Sequence, residues 1–235
     1  MIYLSRNKIY EKQDPAKEAK KIYIFCEGSE REIEYFNYFK GLSTNISIIP
    51  IPPVNGKSDP AMLRNNAELL FFGEADENIL PTYKLSKDYK DEVWFVIDTD
   101  LWIEHGKIDR LENFCSEMND DYKCWEIAQS NPSFELWLIY HIEAQKPTIE
   151  DVSKYTSFKE YAASKIPGGL DVRKIPVHLL DANSNSLANL IIEQGRPALY
   201  STNMHILGQI IYSFVGEQLE KAKKMMHSAS KPPVT

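Results

Sequence analysis

Apolar residues in this chain fall into two kinds of run, continuous and periodic, and the two kinds alternate. IYIFC (22–26) and, within the expected strand EVWFVI (92–97), VWFVI are unbroken apolar stretches rich in β-branched and aromatic residues, the pattern of strands covered on both faces. NISIIPIP (45–52) also reads as a strand, and Pro50, which cannot donate to a ladder, places it at the periphery. YKCWEIAQ (122–129) reads as a fourth strand. Between these runs, residues 29–41, 60–72 and 106–118 carry helical spacing. PSFELWLIYHI (132–142) opens a further helix, with Asn131 as N-cap and Pro132 at the first helical position.

Repetition of strand and helix predicts an α/β fold, with a mostly parallel central sheet and helices on both faces. Residues 73–91 are charged and irregular, as in an insertion. Beyond about residue 145 the pattern becomes helical, with a long apolar period from Leu199 to Leu219. The expected organisation is a polar lead-in (1–20), an α/β core (21–145), a mainly helical region (146–228) and a tail (229–235). There is no internal repeat and no low-complexity tract.

Composition narrows the functional classes. At 43% hydrophobic and 26% charged residues the chain has the make-up of a globular protein with a sizeable core. A net charge of −7 argues against whole-surface attraction to nucleic acid or an anionic membrane. It leaves open a polyanionic ligand at a site where bound cations reverse the potential. Cys26, Cys115 and Cys124 are odd in number and lack C-x-x-C spacing, so neither a disulfide framework nor a zinc knuckle is expected. The first residues lack an apolar signal core, and no run approaches the roughly 18 apolar residues of a membrane span, so a cytoplasmic protein is expected.

Candidate chemistry lies in acids that directly follow or interrupt apolar runs. Asp98 and Asp100 come just past the end of VWFVI, the edge where open α/β sheets bind ligands. Alternation turns Thr99 away and puts both aspartates on one side, where they repel unless a cation or proton intervenes. Hard oxygen ligands in this spacing suit magnesium or manganese, although an Asx turn or helix cap explains D-x-D equally well. Glu27 holds the matching place after IYIFC, and Gly28 permits a sharp turn there. Glu32 stands three residues after Ser29, and by spacing alone a capping box is its better explanation. Glu135 interrupts an apolar helix one place too late for a capping box with Asn131, and so needs solvent, a partner or a metal. Lys57, in NGKSDP, and Asn131 are added as candidate substrate contacts, although the first segment lacks a phosphate-loop pattern. His105, His141, His178 and His205 lack metal-ligand spacing, and Trp94, Trp102, Trp125 and Trp137 fit core packing better than base stacking.

Three blocks, CEGSEREIEYF (26–36), IDTDLW (97–102) and SNPSFELW (130–137), resemble in order the motifs of RloB-like (AbiL-type) proteins of the toprim nuclease superfamily. Those motifs are C-E-G-x-x-x-E-x-x-Y-F after a first strand, D-x-D after a later one, and S-N-P-x-F-E-x-W. The resemblance implies a toprim-like fold with Glu27, Asp98 and Asp100 as an acidic core. It also implies metal-site roles for Glu32 and Glu135 beside Glu27, Asp98 and Asp100, which reverses the preference for a cap at Glu32. With it come a Mg2+ (or Mn2+) cofactor, cleavage of phosphodiester bonds in DNA or RNA, a place in antiphage defence, and an OLD-like or ABC-type ATPase partner. Ser29 and Ile33 depart from the family's usual acid and proline, no motif matches beyond residue 150, and no catalytic lysine can be placed. Two other readings stand beside it. One is a D-x-D phosphatase or phosphotransferase with Asp98 as nucleophile; the other is a non-catalytic interaction subunit docking through its helical half.

Overall fold

Alternate residues of the apolar strands must point to opposite faces of a sheet, and both faces of this sheet are covered. The computed structural model describes residues 12–54, 56, 58–99, 106–120 and 122–229. Seven strands are described: β1 (Lys20–Cys26), β2 (Ile46–Ile51), β3 (Glu92–Asp98), β4 (Trp125–Asn131), β5 (Ile192–Glu193), β6 (Arg196–Pro197) and β7 (Ser201–Thr202). The helices are α1 (Arg31–Asn37), α2 (Pro60–Phe72), α3 (Lys107–Met118), α4 (Glu135–Tyr140), α5 (Ile149–Val152), α6 (Phe158–Lys165), α7 (Leu179–Ala188) and α8 (His205–Ala229). The main sheet runs β2-β1-β3-β4-β7; its first four strands are parallel, and β7 is antiparallel to β4.

On one face, Ile22, Ile24 and Cys26 of β1 with Trp94 and Val96 of β3 pack against α1, α4, α7 and α8, including Leu207, Ile211, Val215 and Leu219. On the other, Tyr23, Phe25, Val93, Phe95 and Ile97 pack against α2 and α3 through Leu63, Phe71, Leu111 and Phe114. The α/β architecture with a mostly parallel sheet and helices on both faces is therefore as expected, and β2 with its Pro50 lies at the edge.

Helix α2 starts where its chemistry dictates. The Asp59 carboxylate accepts the N–H groups of Ala61 and Met62 at 3.0 and 3.2 Å, Pro60 follows, and Gly73 with φ +71° ends the helix. Elsewhere the elements differ from expectation. The α4 segment does not begin at Pro132: Asn131 remains in β4, where its backbone carbonyl accepts the Tyr200 N–H (2.8 Å) and its side chain donates to Pro197 O (3.0 Å). Helix α8 begins at His205 rather than near Leu199, because Ser201 and Thr202 form β7. It continues to Ala229. No helix among the described residues is long and apolar enough to cross a membrane.

Candidate functional site

Because β1, β3 and β4 are parallel, their carboxyl ends share one edge of the sheet. Register fixes the neighbours there: Cys26 is level with Val96, and Asp98 with Ser130. The Glu27 N–H bonds Val96 O at 3.1 Å, carrying the ladder one residue past β1. Its carboxylate Oε2 then accepts the backbone N–H of Asp98 at 2.9 Å. Asp98 Oδ1 in turn accepts the N–H of Phe134, at the entry to α4, at 2.8 Å. Thr99 points the other way: it is buried, donates its hydroxyl to Ser130 O (2.9 Å) and accepts from Gln129 Nε2 (2.9 Å).

Glu32 reaches the same edge from α1. This helix begins at Arg31 with Glu30 at its N-cap and no capping side chain, one residue later than a Ser29–Glu32 capping box requires. The box therefore does not form. Glu32 is buried, 7% exposed, with its carboxylate folded back over Gly28. A Cβ at position 28 would lie 1.7 Å from Glu32 Oε2, so only glycine admits this approach.

Helix α4 has six residues, too few to be stable by itself. Packing holds it: Leu136, Trp137, Leu138, Ile139 and Tyr140 are all essentially inaccessible, and each contributes about 1.5–3 kcal/mol on burial. That packing fixes Glu135, the helix's first residue, at the edge. Arg31 Nη1 donates to Glu135 Oε1 at 2.7 Å, Ser133 Oγ donates to Oε2 at 2.7 Å, and Lys159 Nζ lies 4.0 Å from Oε1.

These acids act on one another's charge. Burial pushes the Asp98 carboxyl well above the ordinary carboxylate range, and the charges of Glu27, Glu32 and Glu135 push it further, against the Phe134 N–H. Glu32 is likewise raised, mainly by burial and also by Glu135, with backbone N–H groups and Arg31 opposing. Carboxylates gathered in this way bind a proton or a cation more readily than isolated ones.

The structure thus brings together Glu27, just past β1, with Glu32 of α1, Asp98 of β3 and Glu135 of α4. Asp100 and Lys57 lie outside the described residues. Asn131 stands at the same edge but uses its amide on Pro197 O. Among the described residues, no group of three or more His, Cys, Asp or Glu side chains is gathered tightly enough to hold a metal ion. Arg31, Ser133 and Lys159, the partners of Glu135, do not stand out in the sequence. Arg31 lies inside the first acidic block, and its charge of opposite sign was the one available signal; Lys159, in α6, carried none.

The histidines expected to be structural are so where they are described. His141 Nδ1 must donate to Trp137 O (2.9 Å), which fixes the tautomer and leaves Nε2 to accept from Tyr35 OH (3.0 Å). His178 pairs with Asp181 and His205 with Ser186, while His105 lies outside the described residues.

A family model described as RloB-like protein matches residues 22–227, which includes both the acidic edge and the helical C-terminal region. No curated protein and no solved structure matches the chain.

Proposed function

The chain belongs to the RloB-like family, and from that premise we propose that it is a divalent-metal-dependent nuclease that hydrolyses phosphodiester bonds in DNA or RNA. The observation that carries this reading is the position of Asp98. It stands at the carboxyl end of a central parallel strand, the usual ligand-binding edge, with three further carboxylates raising its proton affinity. The donor set is all oxygen, as Mg2+ and Mn2+ prefer. Glu27 and Asp98, each with one oxygen already fixed by a backbone N–H, are oriented before any ligand arrives. With Asp100 they would hold one or two metal ions, which when bound supply an activated water and stabilise the departing oxygen. Glu27 would alternatively act as a general acid or base toward the attacking water. Glu32 adds a further carboxylate to this edge, and the absence of a side chain at Gly28 leaves room for it.

Resemblance to the toprim nucleases of antiphage defence extends the proposal to a defence role, with an ATPase partner that restrains or delivers the nuclease. The test is cleavage of DNA and RNA panels with Mg2+ or Mn2+, with and without the partner. An Asp98→Ala, Asp100→Ala double variant is expected to be inactive, and undiminished activity would contradict the proposal. Metal binding without cleavage would favour an interaction subunit, and a phosphorylated Asp98 would favour a phosphotransferase.

A further inference from the structure

We infer that Arg31 is the phosphate-contacting residue of this edge, anchored by Glu135 so that its guanidinium receives a phosphodiester group of the nucleic acid beside Asp98. The identity of the ligand rests on the nuclease reading above.

A nucleic acid approaching this edge meets four carboxylates on a chain of net charge −7. Binding there requires fixed positive charge in addition to any bound metal. Among the described residues, the cations ion-paired with these acids are Arg31 and Lys159, both on Glu135. Arg31 is the better built of the two, at 2.7 Å from Glu135 Oε1 against 4.0 Å for Lys159, whose side chain is 60% exposed.

The two ends of the Arg31–Glu135 pair differ in burial. The Glu135 side chain is 9% exposed and its second oxygen is held by Ser133 Oγ, whereas the Arg31 side chain is 31% exposed. The carboxylate is therefore the fixed inner member, and the guanidinium faces outward from it. A guanidinium carries five N–H donors in a planar fork, and the Glu135 bond takes one of them. The geometry of that fork matches two oxygens of a phosphate. Arg31 also adjoins Glu32 in sequence and acts on its charge, while Glu135 acts on Asp98, so guanidinium and aspartate share one electrostatic neighbourhood. In this account Glu135 is a positioning residue that acts through Arg31. Ion pairing with Arg31 also explains how Glu135 can be buried within an acid cluster without a metal ligand role.

The experiment is fluorescence anisotropy with the full chain and three labelled probes: a short DNA duplex, a DNA single strand and an RNA hairpin. Each is titrated over a potassium chloride series, in calcium and separately in EDTA, with Arg31→Gln, Arg31→Lys and Glu135→Gln beside the wild type. For the probe that binds best, Arg31→Gln is expected to weaken binding about tenfold and to lower the slope of log K against log salt by about one. Arg31→Lys keeps the slope but not the full affinity, since a point charge lacks the fork. Glu135→Gln lowers affinity at unchanged slope. Wild-type affinity and slope in Arg31→Gln would overturn the inference, as would failure of the wild type to bind any of the three probes. Should Arg31→Gln not fold, Arg31→Lys decides: wild-type affinity for every probe overturns the inference, and reduced affinity at unchanged melting temperature supports it. Calorimetry showing no metal binding by the wild type would remove the nuclease reading alone, because the EDTA series still tests Arg31.

Discussion

Asp91 and Asp98 bracket the same strand, β3, and their surroundings are opposite. Asp91 lies just before its amino end, 1% exposed, with the Lys21 N–H on Oδ1 (2.8 Å) and the Ser86 N–H on Oδ2 (2.9 Å). It ties the segment 86–91 to the start of β1, and the Lys20–Glu92 ion pair stands next to it. Asp98, at the carboxyl end, receives one N–H from Phe134 and the repulsion of three carboxylates. A buried carboxylate with a donor on each oxygen has a complete explanation in the fold. One surrounded by like charge is stable as a neutral acid or with a cation beside it, which makes Asp98 a candidate site residue.

The largest expected effect is on chemistry at the carboxyl end. Asp98→Asn keeps an oxygen for the Phe134 N–H but removes the charge, and metal-dependent cleavage should fall by more than about a hundredfold. Near-normal turnover would erase the functional half of the contrast. The amino end should respond in stability instead. Asp91→Ala leaves two backbone donors without their carboxylate, a loss of about 3–6 kcal/mol in chemical denaturation, with no change in metal affinity. A mild loss would show that Asp91 is not the structural anchor its geometry makes it.

His141 supplies a pH test of the same distinction, as a buried group satisfied in its neutral form. Burial lowers its pKa from 6.5 to about 3. The folded state thus takes up its proton later than the unfolded chain does as pH falls. His141 therefore contributes stability above about pH 6.5 that is lost toward pH 3, at up to about 1.4 kcal/mol per pH unit. Asp98 and Glu32, raised in the fold, act with the opposite sign: their contribution is present at acid pH and lost as pH rises through their folded pKa values. Urea denaturation between pH 7 and 5 should show a steeper loss in wild type than in His141→Gln. The smallest effect is expected for Ser29→Ala, within about 0.5 kcal/mol, because no capping box exists for it to break.

Much of the edge could be read from the chain because its signals are local. Glu27 and Asp98 follow unbroken apolar runs whose only tenable conformation is a buried strand, and two parallel strand ends necessarily meet. Glu32 could not be settled this way, since S-x-x-E has the same spacing whether or not the helix starts at Ser29; the start at Arg31 decided it. Asn131 misled for a related reason. Asn-Pro is a good helix opening, but the pairing of Asn131 with Ser201, seventy residues on, holds it in β4. A two-residue strand such as β7 has no periodicity to reveal it. Arg31 and Lys159 look like ordinary surface cations until the fold brings Glu135 to them, from 104 positions away in the case of Arg31.

The crowding at Asp98 is proposed to serve a divalent cation. The most direct measurement is thermal unfolding of wild type and Asp98→Asn at pH 8 across a manganese titration. The account predicts that without metal the variant melts above the wild type, since it lacks the uncompensated charge. It also predicts that manganese raises the wild-type melting temperature progressively while leaving the variant nearly unmoved. Equal metal-induced shifts in the two proteins, or none in the wild type, would contradict it.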